Sequence, residues 1–195
     1  MNRRDLGVLA WTTAAACAGL ARAEALQEEL RSGPPVGGSP LPFTSNLVTG
    51  PYRGKQHCYV CELRETDHPA VLVFARSLNE PTARLLRGLR DAIQERKKEK
   101  LFGWFVFLDE GKAEAELEAR LEQFARENSA LSLPISALGD PQGPPGYRIA
   151  GEAEVTLLYF RKDKILANRA FRTREWNNGA AGKVLRDLDS VFGWR

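Results

Sequence analysis

The 195-residue sequence predicts an α/β protein built on a mixed sheet. Two pairs of segments carry that expectation. Pro69–Ala75 and Leu101–Leu108 are continuous apolar runs rich in Val and Phe, the pattern of strands buried on both faces, and a stretch of helical periodicity separates them. Val155–Phe160 and Ile165–Phe171 are also strand-like, are joined only by Arg161–Lys164, and lead into an amphipathic segment. The alternation in the first half implies parallel strands joined by crossover helices. The short polar joint in the second half implies an antiparallel hairpin.

Taken in order, the chain opens with Arg3 and Arg4, a modest apolar run from Leu6 to Leu20, and Ala21-Arg22-Ala23. Basic, apolar and small-residue blocks in that order form a signal peptide, here residues 1–23, and the paired arginines resemble a twin-arginine export signal. Ala14-Ala15-Ala16-Cys17 offers an alternative, lipid anchoring at Cys17. The apolar run is too short and too interrupted to span a membrane well, and no transmembrane span is expected in the mature chain. Cleavage after Ala23 removes Arg3, Arg4, Arg22 and Asp5, which brings the formal charge from +3 to +1. The expected location is the periplasm or cell envelope, where paired thiols tend to be oxidised.

Residues 24–42 form a Pro/Gly-rich linker or arm. Glu24–Arg31 is helix-compatible, whereas Ser32–Pro42 is too rich in Pro and Gly for helix or sheet. The folded domain is placed at 43–195. After the first buried strand, Asn79-Glu80-Pro81 supplies a capping residue and an early proline. Leu85, Leu86, Leu89, Ala92 and Ile93 then recur at helical spacing, and the helix is expected to reach about Lys98. After the second buried strand a charged helix ends near Asn128 with Leu117, Leu121 and Phe124 on one face, and Leu133–Leu138 is a short strand. Gly139–Gly146 is a loop, and Tyr147–Ala150 is read as a helical turn. Following the hairpin, Val184, Leu185, Leu188, Val191 and Phe192 give the last helix, about Asn178 to Phe192, its apolar face.

Acids and bases are interleaved, and the aromatic residues sit in apolar runs rather than among basic ones, so nucleic-acid binding is not expected. There is no Gly-rich phosphate loop and no G-x-S-x-G elbow. No cofactor is implied.

This order of elements resembles the thioredoxin-like superfamily, in its peroxiredoxin and TlpA-like branch, across roughly Phe43 to Phe192. Ala70–Ala75 resembles the central strand that precedes the active site there. Leu138-Gly139-Asp140-Pro141-Gln142-Gly143 through Tyr147-Arg148-Ile149 resembles the strand, loop and Y-x-I turn of those proteins. Val155–Phe160 resembles the strand after the cis-proline. The resemblance implies a three-layer α/β/α sandwich with a mixed central sheet and a C-terminal β-hairpin plus helix. It also implies a C-x-x-C pair, or a peroxidatic cysteine, just after the central strand. Here that place holds Arg76-Ser77-Leu78-Asn79, and the cis-proline position is Val155.

The C-x-x-C that the chain does carry is Cys58-Tyr59-Val60-Cys61, upstream of that strand and preceded by His57. Three readings follow. A thiol–disulfide site would use Cys58 as nucleophile and Cys61 as resolver, with the cation of His57 favouring a thiolate and a protein thiol or disulfide as partner. A zinc or copper site would draw on Cys58, Cys61, His57 and His68. A local disulfide on a non-catalytic binding or structural module needs neither chemistry.

Overall fold

A computed structural model describes residues 30–108 and 114–194. The signal peptide read at 1–23, Cys17, and Glu24–Glu29 lie outside the described residues, as does the turn after the second buried strand.

Seven strands form one sheet in the order β2-β1-β5-β4-β3-β6-β7. In chain order they are β1 (Ser45–Leu47), β2 (Gln56–His57), β3 (Pro69–Ala75), β4 (Phe102–Leu108), β5 (Ile135–Leu138), β6 (Ala153–Arg161) and β7 (Lys164–Arg172), with helices α1 (Tyr59–Arg64), α2 (Glu80–Glu95), α3 (Glu114–Glu127) and α4 (Asn178–Phe192). β3 is central. It pairs in parallel with β4, from Ala70 opposite Phe102 to Ala75 opposite Phe107, and antiparallel with β6, where Ala75 faces Val155. β4 and β5 are also parallel, and β6 and β7 form the expected antiparallel hairpin.

Alternation along the strands sorts the core into two layers. Val71, Val73, Phe105, Phe107, Val155 and Leu157 face α2, α3 and α4. Ala70, Leu72, Phe74, Trp104, Val106 and Leu158 face the other way, under α1 and the loop bearing Tyr147 and Ile149. One outer layer is therefore three helices, and the other is one short helix plus extended chain.

The helices begin and end where their caps dictate. Asn79 accepts hydrogen bonds from the Thr82 backbone N–H at 3.1 Å and the Thr82 hydroxyl at 2.9 Å, which starts α2. α2 stops at Glu95, with Arg96 as its C-cap, rather than near Lys98. Four cations within Arg96–Lys100 repel one another and give no turn of helix an apolar side to bury. Asn177 caps α4 through Gly179 and Ala180, and Gly193 closes it at φ 71°. Gly88 lets α2 and α4 approach, since a Cβ there would lie 2.2 Å from Leu185 Cδ1.

Tyr147–Ala150 is not a helical turn. The Tyr147 N–H closes a turn on Pro144 O at 3.0 Å, and the chain then passes through a left-handed residue at Arg148, with Tyr147 and Ile149 buried and Arg148 exposed.

The described part of the Pro/Gly-rich arm lies on β6 and β7. Ser32 Oγ meets Thr156 Oγ1 at 2.6 Å, and Asn168 Nδ2 donates to Ser32 O and Pro34 O at 2.8 and 2.9 Å. Gly37 N–H donates to Ile165 O and Ile165 N–H to Gly38 O, both at 2.8 Å. Gly33, at φ +80°, fits where a Cβ would press on Thr156 at 3.2 Å.

Candidate functional site

The cysteine pair heads α1. β1 and β2 form a small hairpin in which Ser45 faces His57, and the chain passes from His57 into the helix. Tyr59, Val60 and Leu63 turn inward onto the layer of Trp104 and Leu72. That amphipathic spacing leaves Cys61, Glu62 and Arg64 facing solvent.

Cys58 and Cys61 are joined by a disulfide, with their Cα atoms 5.3 Å apart. Cys58 is the N-cap of the helix, and its Sγ accepts a hydrogen bond from the Cys61 backbone N–H at 3.1 Å. The two sulfurs are not equivalent. Cys58 is half-buried and packs on the aromatic layer, whereas Cys61 is exposed. Chain position alone pointed to Cys58 as the sulfur that meets a partner; exposure favours Cys61.

His57 does not turn its Nε2 to the cysteines. That atom lies 2.7 Å from Glu62 Oε2, and an ionised carboxylate can only accept, which places the ring proton on Nε2. The ring stacks on Tyr52 with centroids 3.9 Å apart and meets the edge of Tyr59 at 4.6 Å. His57 and Glu62 thus flank the cysteine pair in sequence and meet each other in space. Arg53 is engaged elsewhere, on Glu122 at 2.7 Å. His68 is a half-buried residue leading into β3, with its N–H on Thr66 Oγ1 at 3.3 Å. In the disulfide form neither sulfur offers a thiolate to a metal. Among the described residues no group of three or more His, Cys, Asp and Glu side chains converges as a metal site would.

Behind the disulfide, Tyr59 is 3% exposed and packs on Phe102 and Trp104 at 4.8 and 5.6 Å. Its hydroxyl is buried with no hydrogen-bond partner among the described residues. Burial first, and then the charge of Glu62, pushes the phenol well above the usual tyrosine range.

The place where the resemblance puts a redox centre is built differently. Arg76–Asn79 follows β3 and leads into α2, with Val155 alongside Ala75. Ser77 donates to Glu154, whose carboxylate also accepts from Thr173 Oγ1 at 3.1 Å, and Asn79 Nδ2 donates to Ser77 Oγ at 2.7 Å. Glu154 is 8% exposed. The Arg76 guanidinium donates to Ala153 O at 2.8 Å and Pro141 O at 2.7 Å. There is no cis peptide bond among the described residues, so the Val155 position is an ordinary trans strand residue.

The disulfide and this loop do not meet. Tyr59, beside Cys58, sits on Phe102 where β4 begins, while Ser77 lies past the far end of the seven-residue β3, about 20 Å along the strand. Val155 also belongs to the opposite face of the sheet from the layer that holds Cys58. Sequence reasoning missed the roles of Glu62 and Glu154. Glu62 carried one signal, its place next to Cys61; Glu154 finds Ser77 across 77 residues and carried none.

A central β3 flanked by β4 and β6, crossover helices and a closing hairpin plus helix together define the thioredoxin-like fold, as a three-layer α/β/α sandwich with a mixed sheet. Solved structures bear this out. Peroxidoxin BcpB from Mycobacterium tuberculosis superposes with a TM-score of 0.55 at 16% identity, over 83% of this chain and 99% of that one. A thiol-disulfide oxidoreductase from Bacteroides fragilis gives 0.52 at 18% identity, over 77% and 98%. The exposed lipoprotein thioredoxin Etrx1 of Streptococcus pneumoniae gives 0.52 at 15% identity, over 76% and 100%. At these identities the likeness establishes the fold. No protein-family model and no curated protein matches the sequence.

Proposed function

We propose that this protein exchanges thiols and disulfides with a protein partner in the cell envelope, through Cys58 and Cys61. The carrying observation is a formed disulfide at the head of a helix with one sulfur, Cys61, open to solvent. A partner thiolate attacks Cys61 Sγ. The Cys58–Cys61 bond breaks, a mixed disulfide forms, and Cys58 leaves as a thiolate that keeps the Cys61 N–H as donor. The second thiolate of the partner then displaces Cys61. The partner ends as a disulfide, oxidised by two electrons, and the pair ends as two thiolates, which take up the two protons that the partner's thiols gave up on ionising. His57, fixed by Glu62 and Tyr52, stands beside the leaving sulfur in the chain as a cation source when protonated. The signal layout of residues 1–23 and a domain beginning near 43, with 24–42 as its arm, support the export half of this reading.

The test is insulin reduction with dithiothreitol as the electron source, the same exchange run in reverse, by the wild type and Cys58→Ser, alongside a thiol count across a redox titration. Exchange predicts turnover in the wild type, loss in Cys58→Ser, and a pair that opens within physiological potentials.

One observation favours a second reading, a non-catalytic binding module. The thioredoxin-type site after β3 holds no cysteine and is filled by the Ser77–Glu154–Thr173 network. Equal rates in the wild type and Cys58→Ser, with a disulfide that never opens, would select it.

A further inference from the structure

On the side of the molecule away from the helical layer, the arm and β7 enclose a cleft of about 1380 Å³. Ligand pockets commonly measure roughly 300–1,000 Å³, so this one has ample room. One wall is apolar: Leu30, Pro34, Val36 and Leu41. The other is basic: Arg31, Arg148 and Arg172 line it, against a single acid, Glu175. Arg172 contacts Glu175 at 3.4 Å, whereas the Arg169 side chain turns to the opposite face and meets Asp187 of α4 at 3.6 Å. Arg31 and Arg148 have no side-chain partner among the described residues.

Arg148 is also held in the left-handed backbone region, at φ 54°. That conformation is costly for a residue with a Cβ and is where glycine is favoured. Of the four non-glycine residues with positive φ among the described residues, Lys100, Ser129 and Lys162 fall in turns, whereas Arg148 lines this cleft. Its neighbours Tyr147 and Ile149 are buried, which throws the Arg148 side chain outward, and Gly33 N–H of the arm donates to Arg148 O at 3.3 Å. A glycine would satisfy that backbone without strain.

We propose that this cleft binds an organic anion with an apolar body, such as an acyl carboxylate or phosphate, with Arg31 and Arg148 holding the anionic head. Arginine suits such heads because its planar fork pairs with two oxygens at once. Two sources share this chemistry: a free amphiphile and an anionic lipid surface.

The test uses 1-anilinonaphthalene-8-sulfonate and N-phenyl-1-naphthylamine, which share the ring system and differ in the sulfonate. The wild-type chain should bind the sulfonate about tenfold more tightly than the neutral amine, as expected for a charge-assisted contact. Arg148→Gly should abolish most of that preference while its thermal midpoint stays level or rises, because the strained position then holds a glycine. Arg31→Gln should weaken the sulfonate in the same direction. Equal affinity for the two probes, or an unchanged preference in Arg148→Gly, overturns the proposal. Sedimentation with phosphatidylglycerol vesicles separates the sources. Pelleting that Arg148→Gly abolishes assigns the head to lipid, and sulfonate binding without pelleting assigns it to a free amphiphile.

Discussion

The two ends of β3 are held by opposite means. At its N-terminal end α1 rests on an aromatic layer, with Tyr59 against Phe102 and Trp104, and carries a covalent link on its outer side. At its C-terminal end Arg76–Asn79 is held by hydrogen bonds to a buried carboxylate and to backbone carbonyls. Aromatic packing tolerates a reactive group on its far side, because its stabilisation does not depend on that group. A polar network does not, since every member fills the lone pairs or protons of another. The difference explains how a thioredoxin-like chain can carry its cysteines at the unaccustomed end.

The comparison can be broken most severely at Tyr59. Truncation to alanine removes the ring on which α1 rests and should cost about 3–5 kcal/mol in urea unfolding. A loss under about 1 kcal/mol would mean that α1 is held by something else. Next comes Glu154→Ala, which strands the hydroxyls of Ser77 and Thr173 and should cost about 2–3 kcal/mol. A neutral outcome would show that water replaces the carboxylate, and the contrast between the ends would fail. Replacing both cysteines by serine should cost less than about 2 kcal/mol, because the pair is only three residues apart and closes a very small loop. Should that variant fail to fold, the disulfide rather than the aromatic layer would be what secures α1.

The smallest effect is the most diagnostic. Tyr59→Phe removes a buried hydroxyl that has no partner among the described residues, and should leave stability level or raise it by up to about 1 kcal/mol. Burial raises the pKa of Tyr59, Tyr147 and Tyr159. For such groups the neutral phenol is favoured in the folded state. The contribution is fully present below the ordinary tyrosine value of about 10 and is lost as pH rises above it. Unfolding midpoints measured from pH 9 upward should fall, and less steeply in Tyr59→Phe; parallel curves would place Tyr59 in water.

Long apolar runs and capped helices were legible because their signals are local. β3 begins and ends where Pro69 and Ala75 suggest, and α4 spans Asn178–Phe192 as its periodicity requires. β1 and β2, three and two residues long, are too short to show any period. α1 has only six residues, and its buried set of Tyr59, Val60 and Leu63 fits within a single motif that draws attention to its cysteines instead. Spacing found the pair, but not which sulfur faces solvent, nor that His57 turns to Glu62. The composition of Ser32–Pro42 rules out helix and sheet, and neither forms there. It is silent on docking, which depends on Gly33 fitting against Thr156 and on Asn168 reaching back to Ser32 and Pro34.

That docking constrains the order in which the molecule can assemble. Ser32 bonds to Ala150, Thr156 and Asn168, at separations of 118, 124 and 136 residues. Contacts so distant must close most of the chain before they return any stabilisation. Seating of the arm is therefore a late folding event that waits for the C-terminal hairpin. Until it happens, the edge of β7 at Ile165, the strand that the arm later bridges, stands open to other chains.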